Sequence, residues 1–286
     1  MNELLAPLQH PFLQRALWTA LVVGFANGFL SGYIVIRRSA LVVGSMSHAL
    51  LPGIALAVLI GGLSAATAFL GGLFSALLVG IGAFFLSRTS RLDDGTALAV
   101  LYTGAFAVGL LLIEVMPIKV QLEDWLFGNI LAQSNADLIT SYAASVLILV
   151  GLTIFHRPII ITLFEPNIAA SQGIQVRRLG YLLTGLIILG LVTSIQAVGC
   201  ILSVAMLVAP AAIIRQFANS PASLIWGGGV VGAIIAASGV ILAYLLNLRI
   251  GATIAILLSA GVILAYLFSP RYGAFWAMLQ RPPRPH

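Results

Sequence analysis

His48 is the one ionisable side chain set deep inside an apolar run. It lies in Val43-Gly44-Ser45-Met46-Ser47-His48-Ala49-Leu50-Leu51-Pro52-Gly53. Neutral imidazole is the commonest side-chain ligand for zinc and other first-row divalent ions. Proline removes the helical hydrogen bond to the carbonyl four residues earlier, and for Pro52 that carbonyl belongs to His48. Around the histidine, Gly44 offers a close backbone approach, Ser45 and Ser47 hydroxyls, and Met46 a soft thioether. An ionisable group in a membrane run is costly and marks a functional candidate. A lone histidine also serves as a structural hydrogen-bonder, so the residues by themselves leave both roles open. His10, His156 and His286 do not cluster with it.

A second interrupted stretch runs from Gln196-Ala197-Val198-Gly199-Cys200 to Ala209-Pro210-Ala211. Gln196, Cys200, Ser203 and Met206 are its polar or soft groups, and Pro210 predicts a second kink. A discontinuous helix of this kind can line a substrate path. Cys200 reads equally as a small packing residue. The single cysteine excludes an internal disulfide and a thiolate metal cluster. No GxxxxGK[ST], no HExxH and no pair of carboxylates within an apolar run is present. The chain therefore reads as a non-enzyme. If ATP drives its work, another chain hydrolyses it.

The elements that hold these residues follow from composition. Of 286 residues, 60% are hydrophobic and 8% charged, whereas soluble domains carry about 25% charged residues. That excludes a soluble enzyme, a nucleic-acid binder and a disordered chain as principal readings. The net charge of +6 reflects few acids, with cations scattered in ones and twos. The apolar runs are continuous rather than alternating, so the spans are helices. The pattern predicts an all-α polytopic membrane protein with about nine spans near 15–36, 40–60, 64–87, 95–114, 137–155, 178–198, 200–217, 223–246 and 250–269. The seventh, which holds Pro210, is the weakest, and eight spans are the alternative. Residues 1–14 read as an amphipathic lead-in without a cleavable signal, 15–269 as one transmembrane domain and 270–286 as a cytoplasmic tail. Gly24, Gly28 and Gly32 recur every four residues and predict close packing of the first span against a neighbour.

Cations favour the cytoplasmic side of a membrane. Alternating nine spans puts Arg37, Arg38, Arg88, Arg91, Arg157, Arg177, Arg178, Arg215 and the three tail arginines on one side. Arg15, Lys119 and Arg249 fall on the other. This predicts an external N-terminus and a cytoplasmic C-terminus. The 115–136 connection, with Trp125, is then external and reads either as a re-entrant helix or as a loop anchored at the headgroups. On the positive side, Phe164-Glu165-Pro166-Asn167 opens a short helix that Gly173 ends. It is either a docking element for a soluble partner or an ordinary surface helix.

Several blocks resemble the membrane permeases of ABC importers for manganese, zinc and iron. They are RRSALVVGSMSHALLPGIALA, RLDDGTALAVLYTGAFAVGL, DWLFGNIL, FEPNIAASQGIQVRRLGYLL and QAVGCILSVAMLVAPAA, in order between about residues 4 and 269. The resemblance implies a permease bundle in a bacterial cytoplasmic membrane, paired with a second permease copy. It also implies a cytoplasmic ABC ATPase dimer, an external metal-binding protein, a divalent metal ion as substrate and no permanently bound cofactor. Residues 163–176, with Glu165, Pro166, Asn167, Ala170 and Gly173, are then similar to the coupling helix that seats in the ATPase. The metal pathway falls on Gly44, Met46, Ser47 and His48. Members of that family read Gly-Asp-Ala-[Ile/Leu]-Ser-His at this point, with aspartate and histidine four apart forming the metal site. Here Val43-Gly44 stands where the pattern has Gly-Asp, so the histidine is kept and the carboxylate is absent. That departure opens an alternative, a non-transporting or regulatory partner in a heterodimeric importer. A secondary transporter is a third reading, disfavoured because no charged group lies in a span to couple protons or sodium.

Overall fold

The computed structural model describes residues 11–62, 64–115 and 135–269, without the side chains of Leu41, Ala65, Val115, Gln196–Val198, Cys200 and Ile201. The lead-in up to residue 10, the connection at 116–134 with Trp125, the tail from residue 270, and the Gln196 and Cys200 side chains lie outside the described residues.

The helices are α1 (Pro11–Ile36), α2 (Ala40–Met46), α3 (Leu51–Gly61), α4 (Ala65–Thr89), α5 (Asp94–Val115), α6 (Asn135–Ile154), α7 (His156–Phe164), α8 (Pro166–Ser171), α9 (Val176–Val198), α10 (Cys200–Arg215), α11 (Pro221–Leu245) and α12 (Ile250–Phe268). A 3-10 turn, His48–Leu50, joins α2 to α3. No strand occurs among the described residues.

Contacts fix each helix direction. The α1 glycines face α11 in reverse order: a Cβ on Gly24, Gly28 or Gly32 would strike Gly232, Gly228 or Ile225. On Gly28 it would lie 2.2 Å from the Gly228 carbonyl oxygen, so only paired glycines allow this backbone contact. α9 also runs against α1, since Asn27 donates to Ser194 and Arg37 reaches Thr184 at 3.1 Å. α6 runs with α1, through Thr19 with Tyr142 at 3.3 Å and the Tyr33 hydroxyl donating to the Leu152 carbonyl at 3.4 Å. α10 also runs with α1. Leu202 and Met206 share a cluster with Leu13, Ala16 and Leu17, while the Ala211 N–H donates to Ser31 Oγ at 3.1 Å.

Among the described residues α1, α4, α6, α10 and α12 therefore run one way, and α2–α3, α5, α9 and α11 the other. All eight described arginines of the predicted cytoplasmic group fall at one end of the bundle. Arg15 and Arg249 lie at the opposite end. Ser269 closes α12 at the arginine-rich end, its Oγ donating to the Gln216 carbonyl at 2.7 Å.

Among the described residues eight helical segments, with α2 through α3 taken as one, are long and apolar enough to cross a membrane, and α10 is the short one. Its 16 residues rise about 24 Å at about 1.5 Å each, less than the roughly 30 Å of a bilayer core. α9 turns directly into it through Gly199, whose φ of +90° suits glycine. Pro210 sits inside α10 without ending it. Ser31, itself donating to the Gly28 carbonyl at 2.5 Å, accepts the Ala211 N–H beside that proline.

A candidate metal pathway on the open face of a broken helix

Arg37 and Arg38 turn the chain from α1 into α2, with Arg38 at a φ of +58°. α2 stops at Met46. The α-helical bonding does not simply continue, because Pro52 stands in the first turn of α3 and has no N–H to give. The chain tightens instead into the 3-10 turn, and the His48 carbonyl accepts the N–H of Leu51. The carbonyl that the sequence leaves without a helical donor is thus paired by a shorter bond. Ser75 of α4 reaches the neighbouring Ala49 carbonyl at 2.7 Å. The interruption is built and satisfied on its packed side.

The sequence-derived residues divide by face. His48 is exposed. Its ring stands edge-on to Phe106 at 5.2 Å and 6.3 Å from Tyr102, both of α5. Gly44 is half-buried one turn earlier, and a Cβ built on it would meet Val204 of α10 at 3.8 Å and nothing nearer. Met46 points the other way. It is 3% exposed and lies against Gly80 in the main core, beside Ile188. Ser47 is buried, and its hydroxyl has no hydrogen-bond partner among the described residues. Gly44 and His48 are therefore on the open face of α2 and its turn, between α5 and α10, while Met46 serves the core. No group of three His, Cys, Asp or Glu side chains comes together among the described residues.

Below this break, at the arginine-rich end, lies a cluster that the sequence reading did not single out. Asp94, the first residue of α5, is 3.4 Å from Arg88 and 3.9 Å from Arg37. Both guanidinium groups also face the Phe84 ring, at 4.9 and 5.8 Å. Gly180 gives that ring its seat, since a Cβ there would lie 2.4 Å from it. Burial lowers the Arg37 pKa from its ordinary value, with Asp94 opposing the shift. A cleft of about 30 Å³ opens between Arg37, Met46, Phe84, Asp94 and Thr184. Asp93 caps α5 by accepting the N–H groups of Gly95 and Thr96 at 3.0 and 3.1 Å, which leaves Asp94 for the arginines. The RLDDG block held the signal: two adjacent acids, one for the cap and one for the cations.

The expected coupling segment, 163–176, resolves into the end of α7, then α8, then a turn into α9. Pro166 opens α8, and Gly173, at a φ of +78°, ends it. Glu165, Pro166, Asn167, Ala170 and Gly173 are all exposed, with Ala169 turned inward. α7 was not foreseen. Its Ile159-Ile160-Ile161 run was the available signal, masked by Pro158, which sits in the first turn, where proline is tolerated. His156 begins α7, and its Nδ1 lies 2.7 Å from the buried Tyr33 hydroxyl.

Residues 9–269 match the ABC 3 transport family. The manganese import system permease protein ScaB of Streptococcus parasanguinis is 35% identical over 86% of each chain. A probable iron transport system membrane protein of Haemophilus influenzae is 37% identical over 88% of this chain and 91% of its own. Among solved structures, PsaBC from Streptococcus pneumoniae in complex with a Fab superposes with a TM-score of 0.82 at 33% identity, covering 98% of this chain and 99% of that one.

Proposed function

The chain belongs to the ABC 3 transport family, and from that membership we propose that it is the membrane permease of an ATP-driven importer of a divalent transition metal ion, manganese or zinc. The permease takes the ion from an external binding protein and releases it at the arginine-rich, cytoplasmic end. ATP is hydrolysed by a separate ABC dimer seated on α8. The relatives named for manganese and iron support the substrate class.

The observation that carries the pathway is the exposure of His48 at a satisfied helix break. An imidazole held in place by its own turn, edge-on to Phe106, is available as a ligand rather than used in packing. One chain does not enclose an ion there. A second permease copy closing the open face between α5 and α10 supplies the missing wall, with water and backbone oxygens completing the coordination. Without a carboxylate at Gly44 no anion offsets the desolvation of a divalent charge. Binding is weak and passage is favoured over retention. Manganese prefers oxygen ligands, and imidazole with few anions shifts preference toward zinc.

The test is uptake of manganese and zinc by vesicles that hold the chain with its ATPase and binding protein. ATP-dependent accumulation of either ion supports the reading. The vacancy at Gly44 favours one other reading, a non-transporting partner in a heterodimer. In that case the chain alone with the ATPase accumulates neither ion, and adding a second, acid-bearing permease restores uptake.

A further inference from the structure

α5 is the least enclosed of the candidate spans, with 17% of its apolar window buried. It is held along one stripe. Gly109 meets the broken turn, where a Cβ would lie 2.8 Å from the Pro52 nitrogen and 3.0 Å from Leu51. Phe106 and Tyr102 lie at the His48 ring. Leu98 is 2% exposed in the core. Asp94 then ties the end of the helix to Arg88 and Arg37. Residues 94, 98, 102 and 106 recur every four, so they share one face of the helix. Two fixed points thus bracket the histidine: a backbone contact at Gly109 and an ion-pair cluster at Asp94.

We propose that Asp94 is a positioning residue for ion passage: its ion pairs with Arg37 and Arg88 hold Tyr102 and Phe106 of α5 against one side of the exposed His48 ring, and their release lets α5 swing about the Gly109–Pro52 contact and free that side of the histidine. The cluster suits a latch. Asp94 is 44% exposed, Arg88 50% and Arg37 19%, so the pairs are wet enough to break. Partly exposed ion pairs contribute about 0.2–1 kcal/mol, which allows both states to be populated. The ties also join α5 to the ends of α1 and α4, the side on which α8 meets its partner. A shift there reaches His48 through one rigid helix. The role given to His48 rests on the proposed function, but the geometry of the latch does not.

The test reads α5 directly. In the assembled complex, Cys200→Ser removes the native thiol and Tyr102→Cys places a reporter two turns beyond the ion pairs. Its reaction with a water-soluble maleimide is timed. Asp94→Asn should speed labelling by about fivefold, the population change that about 1 kcal/mol brings. Asp94→Glu should restore the slow rate. Asp93→Ala removes the helix cap but not the latch, and should leave labelling at 102 unchanged. Arg88→Gln gives a second variant that spares α5 itself and should speed labelling in the same direction. Equal rates in the parent, Asp94→Asn and Arg88→Gln, or acceleration by Asp93→Ala alone, would overturn the latch. Because no metal is carried in this assay, those results are independent of whether the chain imports manganese or zinc.

Discussion

In the proposed pathway, Gly44 sets how strongly the ion is held. The space its missing side chain leaves is open, with Val204 the nearest neighbour at 3.8 Å. A Cβ placed there makes only ordinary van der Waals contact, and the position is on the same open side as His48. Gly44→Asp should therefore strengthen metal binding in the membrane, more for manganese than for zinc, since oxygen ligands suit manganese. Equilibrium dialysis of the purified complex reads this, and unchanged binding of both ions would remove the pathway from this face. Gly28 decides assembly rather than chemistry. A side chain there collides with the Gly228 carbonyl, and overpacking of this kind costs about 1–3 kcal/mol. Gly28→Val should lower the melting temperature of the complex, while Gly104→Val, with no atom within 4 Å of its Cβ position, should not.

The elements show what a sequence does and does not disclose. Continuous apolar runs bounded by arginines marked the long helices to within a few residues, because a spanning helix must satisfy its backbone internally. The break at His48 was legible from Pro52, but its form was not. The proline opens α3, and the chain before it tightens into a 3-10 turn whose Ala49 carbonyl accepts from Ser75 of another helix. At Pro210 the helix α10 continues, and Ser31 of α1 accepts the adjacent N–H, a partner that the sequence around the proline does not name. Met46 seemed a ligand by proximity to His48, and only the direction of its side chain toward Gly80 places it in the core. The Arg37–Asp94–Arg88 cluster joins residues far apart in sequence, which periodicity does not reveal. For α8, the exposed Asn167 and Ser171 give the direct check. Cysteines at either position should crosslink to the ATPase in the assembled complex, and free labelling of both would show that α8 is not the docking element.

At the scale of the molecule, the alternation of helix directions gathers the described arginines of the predicted cytoplasmic group at one end, with α8 beside them and the helix break between the two ends. The positive-inside tendency then sets the orientation. A cysteine replacing the exposed Leu246 should react with an impermeant reagent from outside the cell, and one replacing Arg91 only after the membrane is opened. Reversed labelling would invert the direction of transport. The most direct test of the central claim, that metal passes the exposed face at His48, compares vesicles carrying wild-type chain with vesicles carrying His48→Ala, each with ATPase and binding protein. ATP-dependent manganese or zinc accumulation should fall at least tenfold in the variant, the effect of losing about 1.4 kcal/mol of interaction, while assembly and ATP hydrolysis persist. Undiminished accumulation by a correctly assembled His48→Ala complex would contradict the account.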